Sequence, residues 1–125
     1  MSDARPGDGS FVEACLFCRI GAGEIAADRL HEDDLVVAFR DIAPRAPTHI
    51  LLIPRRHIAS AAELTEDDGP LLGRLFAVAA ELARSENITE GGYRLVSNVG
   101  RWGGQTVDHL HLHLMGGRAF VWPPG

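Results

Sequence analysis

Residues 108–115 read Asp108-His109-Leu110-His111-Leu112-His113-Leu114-Met115. From His109 to Leu114 polar and apolar side chains alternate without interruption, which is the period of a half-buried β-strand. On such a strand His109, His111 and His113 project from one face, while Leu110, Leu112 and Leu114 project from the other and can join a core. Packing does not require three imidazoles in a row, because Glu, Lys, Thr or Arg would solvate an exposed face equally well. Three chemistries can use the row. Same-face neighbours about 6.5–7 Å apart extend over ~13 Å, so all three cannot reach one ion at ~2.0–2.1 Å, although two could with a ligand from elsewhere. Imidazole titrates near neutrality, which suits general acid–base work. The third option is nucleophilic attack by the central His111, with the flanking rings managing protons.

The stretch before the strand, Asn98-Val99-Gly100-Arg101-Trp102-Gly103-Gly104-Gln105-Thr106, is rich in glycine and delivers the chain to the histidines. Glycine permits positive φ and close approach of an anion to backbone N–H groups, and Thr106 adds a hydroxyl. A phosphate-binding loop beside three imidazoles points to phosphoryl or nucleotidyl transfer.

Further outward, Leu35–Phe39 and Thr48–Ile53 read as strands, the second bounded by Pro47 and Pro54. Thr65-Glu66-Asp67-Asp68 has the form of a capping box, and Pro70 falls early enough in the helix to be tolerated. Leu71, Leu75, Val78, Ala79 and Leu82 then recur at helical spacing and give one apolar face. Tyr93–Asn98 reads as a third strand and residues 107–115 as the last. Cys15 to Ile20 forms a short helical turn stopped by Gly21 and Gly23. Strands, one long helix and further strands make an α+β domain with a mainly antiparallel sheet. Residues 1–12 read as an N-terminal arm and 13–125 as a single domain.

The chain has 125 residues, a net charge of −5 and twelve cationic residues, all of them arginine. No basic field advertises a nucleic-acid duplex, and no apolar run reaches the roughly 18 residues of a membrane span. The first residues carry acids and no apolar core of a secretory signal, so a cytoplasmic location is expected. Cys15-Leu16-Phe17-Cys18 holds both cysteines. They read either as reduced thiols or as half of a zinc site completed by histidine; no βαβ pattern supports a redox pair.

The His109–Met115 run resembles the His-φ-His-φ-His-φ-φ signature of the histidine-triad (HIT) nucleotide-binding proteins. Phe39–Pro44, Ala46–Pro54 with His57-Ile58, the Asn98–Thr106 loop, Gly116-Gly117-Arg118 and the closing Trp122-Pro123-Pro124-Gly125 extend the resemblance, in particular to the Hint branch. It implies a HIT-like five-stranded sheet with one long and one short helix, dimerising into a ten-stranded sheet. It also implies hydrolysis of purine nucleoside 5′-phosphoramidates of AMP or GMP type, with no cofactor required. Carried over by residue, His111 is the nucleophile. His113, with Gly104, Gln105 and Thr106, contacts the phosphate and serves the leaving amine, and His49 and His109 complete the catalytic set. Asp41 binds the ribose, Ile42 and Phe17 lie near the base, and Asn98 meets the ribose or phosphate. Trp122 approaches the site of the partner in a homodimer.

The resemblance further implies a structural zinc on Cys15, Cys18, His49 and His109. His31 reads as an ordinary surface residue and His57 as structural or exposed rather than catalytic. Asp108 falls at the exposed start of the strand, Arg101-Trp102 enlarges the glycine loop, and Thr106 stands where serine is common. Two competing functions remain: a dinucleoside polyphosphate hydrolase or nucleotidyl transferase, and a non-catalytic protein that binds a purine nucleotide or zinc.

Overall fold

The computed structural model describes residues 11–125. In chain order the elements are α1 (Leu16–Gly21), β1 (Arg29–Glu32), β2 (Val36–Arg40), β3 (Thr48–Pro54), α2 (Gly69–Ser85), β4 (Tyr93–Val96) and β5 (Leu112–Gly116). The strands form one five-stranded sheet in the order β1-β2-β3-β5-β4, and every neighbouring pair is antiparallel. This is the α+β architecture expected from the sequence, with a five-stranded antiparallel sheet, one long helix and one short helix.

The alternation of side chains divides the core between the two faces of the sheet. Val36, Ala38, Ile50, Leu52, Leu112 and Leu114 pack on one face against Leu71, Leu75, Val78, Ala79 and Leu82 of α2. The apolar stripe read from the helical spacing is therefore the buried stripe. On the other face Val37, Phe39, Leu51 and Ile53 pack against Phe17, Cys18 and Ile20 of α1. The capping box forms as expected, with Thr65 N–H donating to the Asp68 carboxylate at 3.0 Å. It closes a 3-10 turn at Glu66–Asp68 that runs directly into α2. The far end of α2 is tied to the sheet by Arg40, whose guanidinium donates two hydrogen bonds to Glu86 at 3.0 and 2.9 Å.

Three differences from the sequence reading have physical causes. β1 was not expected; its residues Arg-Leu-His-Glu show no clean alternation, and a register shift between Arg29 and His31 breaks its ladder with β2. Within it His31 is half-buried rather than an ordinary surface residue, with its Nε2 2.7 Å from Asp33. The last strand begins at Leu112 rather than at residue 107. The backbone N–H of His109 turns back to the Val107 carbonyl at 2.9 Å and that of Leu110 bonds to Ile58 at 2.6 Å, so residues 107–111 stand outside the ladder. Most of the expected N-terminal arm, residues 1–10, lies outside the described residues; Phe11 already packs against the α1 side of the core.

Candidate active site and metal-ligand cluster

The histidine run joins the sheet only after His111, and this sends its imidazoles to two different places. His111 is buried beside the sheet, its ring 5.0 Å from that of His113 and 5.1 Å, edge-on, from Phe17 of α1. Its Nδ1 lies 2.7 Å from the His109 carbonyl oxygen. A carbonyl only accepts, so Nδ1 carries the proton and Nε2 keeps its lone pair.

A second chain of bonds fixes His113. The Arg45 backbone N–H donates to His49 Nδ1 at 3.0 Å. His49 Nε2 therefore holds the proton and donates it to His113 Nδ1 at 2.9 Å. His113 in turn carries its own proton on Nε2. Burial, together with the neighbouring His111 and His49, pushes the His113 pKa down to about 4 against the pull of Asp41. Burial also lowers that of His49. Asp41, just past β2, stands 3.4 Å from His49 Nε2. Although Asp41, His49 and His113 bring three donor atoms together, the commitment of both His49 nitrogens to hydrogen bonds speaks against a metal there.

These groups open onto a cleft of about 400 Å³ lined by Phe17, Ile20, Phe39, Asp41, Ile42, Leu51, Thr106, His111 and His113 among others. Its volume falls within the usual range for small-ligand sites, and the apolar wall from α1 faces the imidazoles. Of the residues expected at a nucleotide, Asp41, Ile42, Phe17, Thr106, His111 and His113 are brought together here. Asn98, Gly104, Gln105 and Trp122 are not among the lining residues, and Trp122 is largely exposed.

The glycine loop also differs from the open anion cradle expected of it. The N–H groups of Gly103, Gly104 and Gln105 are spent on carbonyls within the loop at 3.0–3.1 Å. The Gln105 amide accepts from Gly100 N–H at 2.9 Å and donates to Ala59 and Val107 carbonyls at 2.7 and 3.0 Å. Gly104, at φ +89°, makes this turn passable. The loop thus braces residues 106–107, and Thr106 is its member on the cleft.

His109 is not among the residues lining the cleft, and the expected zinc set needs one correction. Cys15, Cys18, His57 and His109 form a cluster whose donor atoms all lie within 4.8 Å of one another. His49, expected as the fourth ligand, is held in the His113 chain instead. His57, just past the end of β3, takes its place with Nδ1 3.3 Å from Cys18 Sγ. The fit to zinc is chemical as well as spatial. His109 Nδ1 lies 3.3 and 3.5 Å from the two sulfurs, and a tetrahedral site with ordinary Zn–S and Zn–N bonds has donor–donor edges of about 3.3–3.8 Å. His109 Nε2 donates to the Pro54 carbonyl at 2.8 Å, so Nδ1 is a lone-pair donor. Burial lowers the His109 pKa to about 4 and keeps the ring neutral. Cys15 Sγ also caps α1, accepting from Cys18 N–H at 3.2 Å. Sequence reasoning missed His57 because nothing local distinguishes it; only the packing of α1 on the sheet brings it to the cysteines, and only the pairing of β3 with β5 brings it to His109.

Residues 22–120 match the HIT domain model. The chain belongs to the HIT family. It is 49% identical over 107 residues to the purine nucleoside phosphoramidase of Escherichia coli, covering 86% of this chain and 90% of that protein. A HIT family hydrolase from Legionella pneumophila superposes with a TM-score of 0.88 at 53% identity, over 89% of this chain and 99% of that one. One from Clostridium thermocellum gives 0.83 at 43% identity, over 86% and 93%. The HIT sheet and the histidine cleft therefore stand in a lineage that includes hydrolases. No helix among the described residues is long and apolar enough to cross a membrane.

Proposed function

We propose that the chain hydrolyses purine nucleoside 5′-phosphoramidates through a nucleotidyl-histidine intermediate on His111. The observation that carries this reading is the bond from His111 Nδ1–H to the His109 carbonyl, which leaves Nε2 as a nucleophile in a cleft shared with a second, oppositely wired imidazole. In the first step His111 Nε2 attacks the α-phosphorus, the P–N bond breaks, and the electron pair leaves with the amine. His113 presents Nε2–H toward that nitrogen and supplies its proton, backed by His49 through the 2.9 Å bond. In the second step water attacks the same phosphorus and gives its proton to Nε2 of His113, which restores the ring, while the P–N bond to His111 breaks and nucleoside monophosphate is released.

Around this centre Asp41 takes the ribose hydroxyls, and Phe17 and Ile42 flank the base. Thr106 meets the phosphate, while Gly104 and Gln105 act by bracing the loop that presents it. Asn98 and Trp122 reach the ligand in a homodimer: β4 is an edge strand of the sheet, and pairing two such edges makes ten strands and carries each exposed tail toward the partner. Cys15, Cys18, His57 and His109 hold a structural zinc, which ties α1 to the segment before β5. Residues 13–125 act as one domain in the cytoplasm.

Mass spectrometry of the intact protein during turnover of adenosine 5′-phosphoramidate tests the reading. An AMP-sized adduct in the wild type that is absent from His111→Ala is the expected result. AMP binding without adduct or released amine would replace the enzyme by a nucleotide-binding protein.

A further inference from the structure

We propose that the Cys15–Cys18–His57–His109 cluster positions the His111 nucleophile: it fixes the His109 carbonyl oxygen, and that oxygen decides which nitrogen of His111 holds the proton. The inference rests on the reading of His111 as nucleophile given above. His57, which touches none of the reacting atoms in that reading, becomes a positioning residue.

The contacts run without a gap from the cluster to the nucleophile. The His109 ring is completely buried and is held at both nitrogens, by the Pro54 carbonyl on one side and the two sulfurs on the other. Its own N–H is bonded to Val107 at 2.9 Å, and the next N–H, of Leu110, to the carbonyl of Ile58 at 2.6 Å. Ile58 directly follows His57, whose ring lies on Cys18. The peptide between His109 and Leu110 is thus gripped on both flanks by residues of the cluster or their neighbours, and its carbonyl points at His111 Nδ1.

The same cluster reaches His111 by a second route. Phe17 sits between the two cysteines on α1, and its ring lies edge-on to His111 at 5.1 Å and to His109 at 6.1 Å. Residues 107–111 have no ladder partners, so these contacts, together with the Gln105 amide on the Val107 carbonyl and the buried Leu110 side chain, hold the carbonyl in position. A zinc ion, when bound, makes the four side chains one rigid unit; thiol–imidazole hydrogen bonds alone are weak. With the carbonyl displaced, the His111 proton is free to occupy Nε2, and the lone pair required at phosphorus is lost.

The test compares the wild type with His57→Ala and His57→Cys. For each protein the readouts are bound zinc, thermal midpoint, AMP affinity, steady-state turnover of adenosine 5′-phosphoramidate well below the midpoint, and the His111 tautomer by long-range ¹H–¹⁵N NMR. The expected result for H57A is loss of zinc, a mixed His111 tautomer and a kcat lower by about ten-fold or more, with AMP affinity held within about three-fold, in keeping with the usual effect of losing an outer support. H57C rebuilds a Cys₃His set and is expected to recover zinc, the single Nδ1–H tautomer and kcat together.

A folded, zinc-free H57A with His111 still protonated at Nδ1 and wild-type kcat would overturn the proposal and leave the cluster as a staple only. Should H57A not fold, the zinc-stripped wild type with AMP bound at low temperature takes its place, and an unchanged tautomer there overturns the proposal equally. If the wild type shows no turnover, the hydrolase reading fails, while the tautomer spectra still decide the positioning role.

Discussion

His49 donates from Nε2 to His113 Nδ1 across 2.9 Å, and the Arg45 backbone N–H holds the other nitrogen of the same ring. The direction of this chain is fixed by its first member, since a backbone N–H can only donate. A buried side chain of β3 thereby determines which edge of His113 offers a proton to the cleft. Removing it in His49→Ala frees His113 to reverse. The expected loss in kcat is on the order of 10²-fold, the low end of what a positioned acid contributes, with AMP affinity changed by less than about ten-fold. Steady-state kinetics at pH 7 beside calorimetric AMP binding measures the split.

The same burial has a consequence for acid stability. An ordinary histidine titrates near 6.5, whereas His113, facing His111, His49 and Asp41, is held to about 4. Below pH 6.5 the unfolded chain takes up a proton that the folded ring resists, so stability drops as pH falls from 6.5 toward 4 and the contribution levels off below that. The expected NMR midpoint of His113 is near 4, and urea unfolding over this window is expected to show a shallower pH slope in His113→Asn than in the wild type. A His113 midpoint at 6.5 would contradict both.

Asp41 offers a test of sugar recognition. Its Oδ1 accepts the Ala43 backbone N–H at 2.8 Å, which fixes the carboxylate at the rim of the cleft. Adenosine phosphoramidate is expected to outperform its 2′,3′-dideoxy analogue in kcat/KM by about ten-fold or more, a typical value for charged hydrogen bonds to hydroxyls. In Asp41→Ala the two substrates are expected to converge. Equal discrimination in both proteins would move ribose recognition elsewhere.

The fold makes a demand at the end of β5. A Cβ on Gly116 would lie 2.6 Å from Ile88 Cδ1 and 3.0 Å from its Cβ. Gly116→Ala is expected to cost about 1–3 kcal/mol, the usual range for overpacking. The cost should shrink in an Ile88→Ala background, where most of the colliding atoms are gone. Urea unfolding of the four proteins in the cycle gives the coupling directly.

Much of this molecule was legible in its sequence because the strong signals are periodic. The helical stripe from Leu71 to Leu82 buries the residues that its spacing marks out, and the short apolar runs around Val36–Arg40 and Thr48–Pro54 are the buried central strands. The Leu110-Leu112-Leu114 face likewise enters the core beneath α2. What escaped was set by tertiary pairing. His57 acquires its neighbours only when α1 packs on the sheet and β3 lies beside β5, and His49 goes to His113 instead of the cysteines because both project from the same face of those paired strands. The glycine loop misled in another way: its N–H groups do converge, but on carbonyls of the loop itself, a choice that composition does not reveal. β1 is too short and too mixed in charge to announce itself.

The departure of residues 107–111 from the ladder bears on any attempt to transplant the motif. In an uninterrupted strand the His109 carbonyl would be claimed by a neighbouring strand or by water, and three imidazoles would stand evenly along one wall. Copying His-Leu-His-Leu-His into the middle of another antiparallel sheet would therefore reproduce the spelling and lose the wiring. A faithful graft must bring the unpaired approach, with its turn at Val107 and its anchor at Ile58, so that one short run of chain can serve two separate pockets.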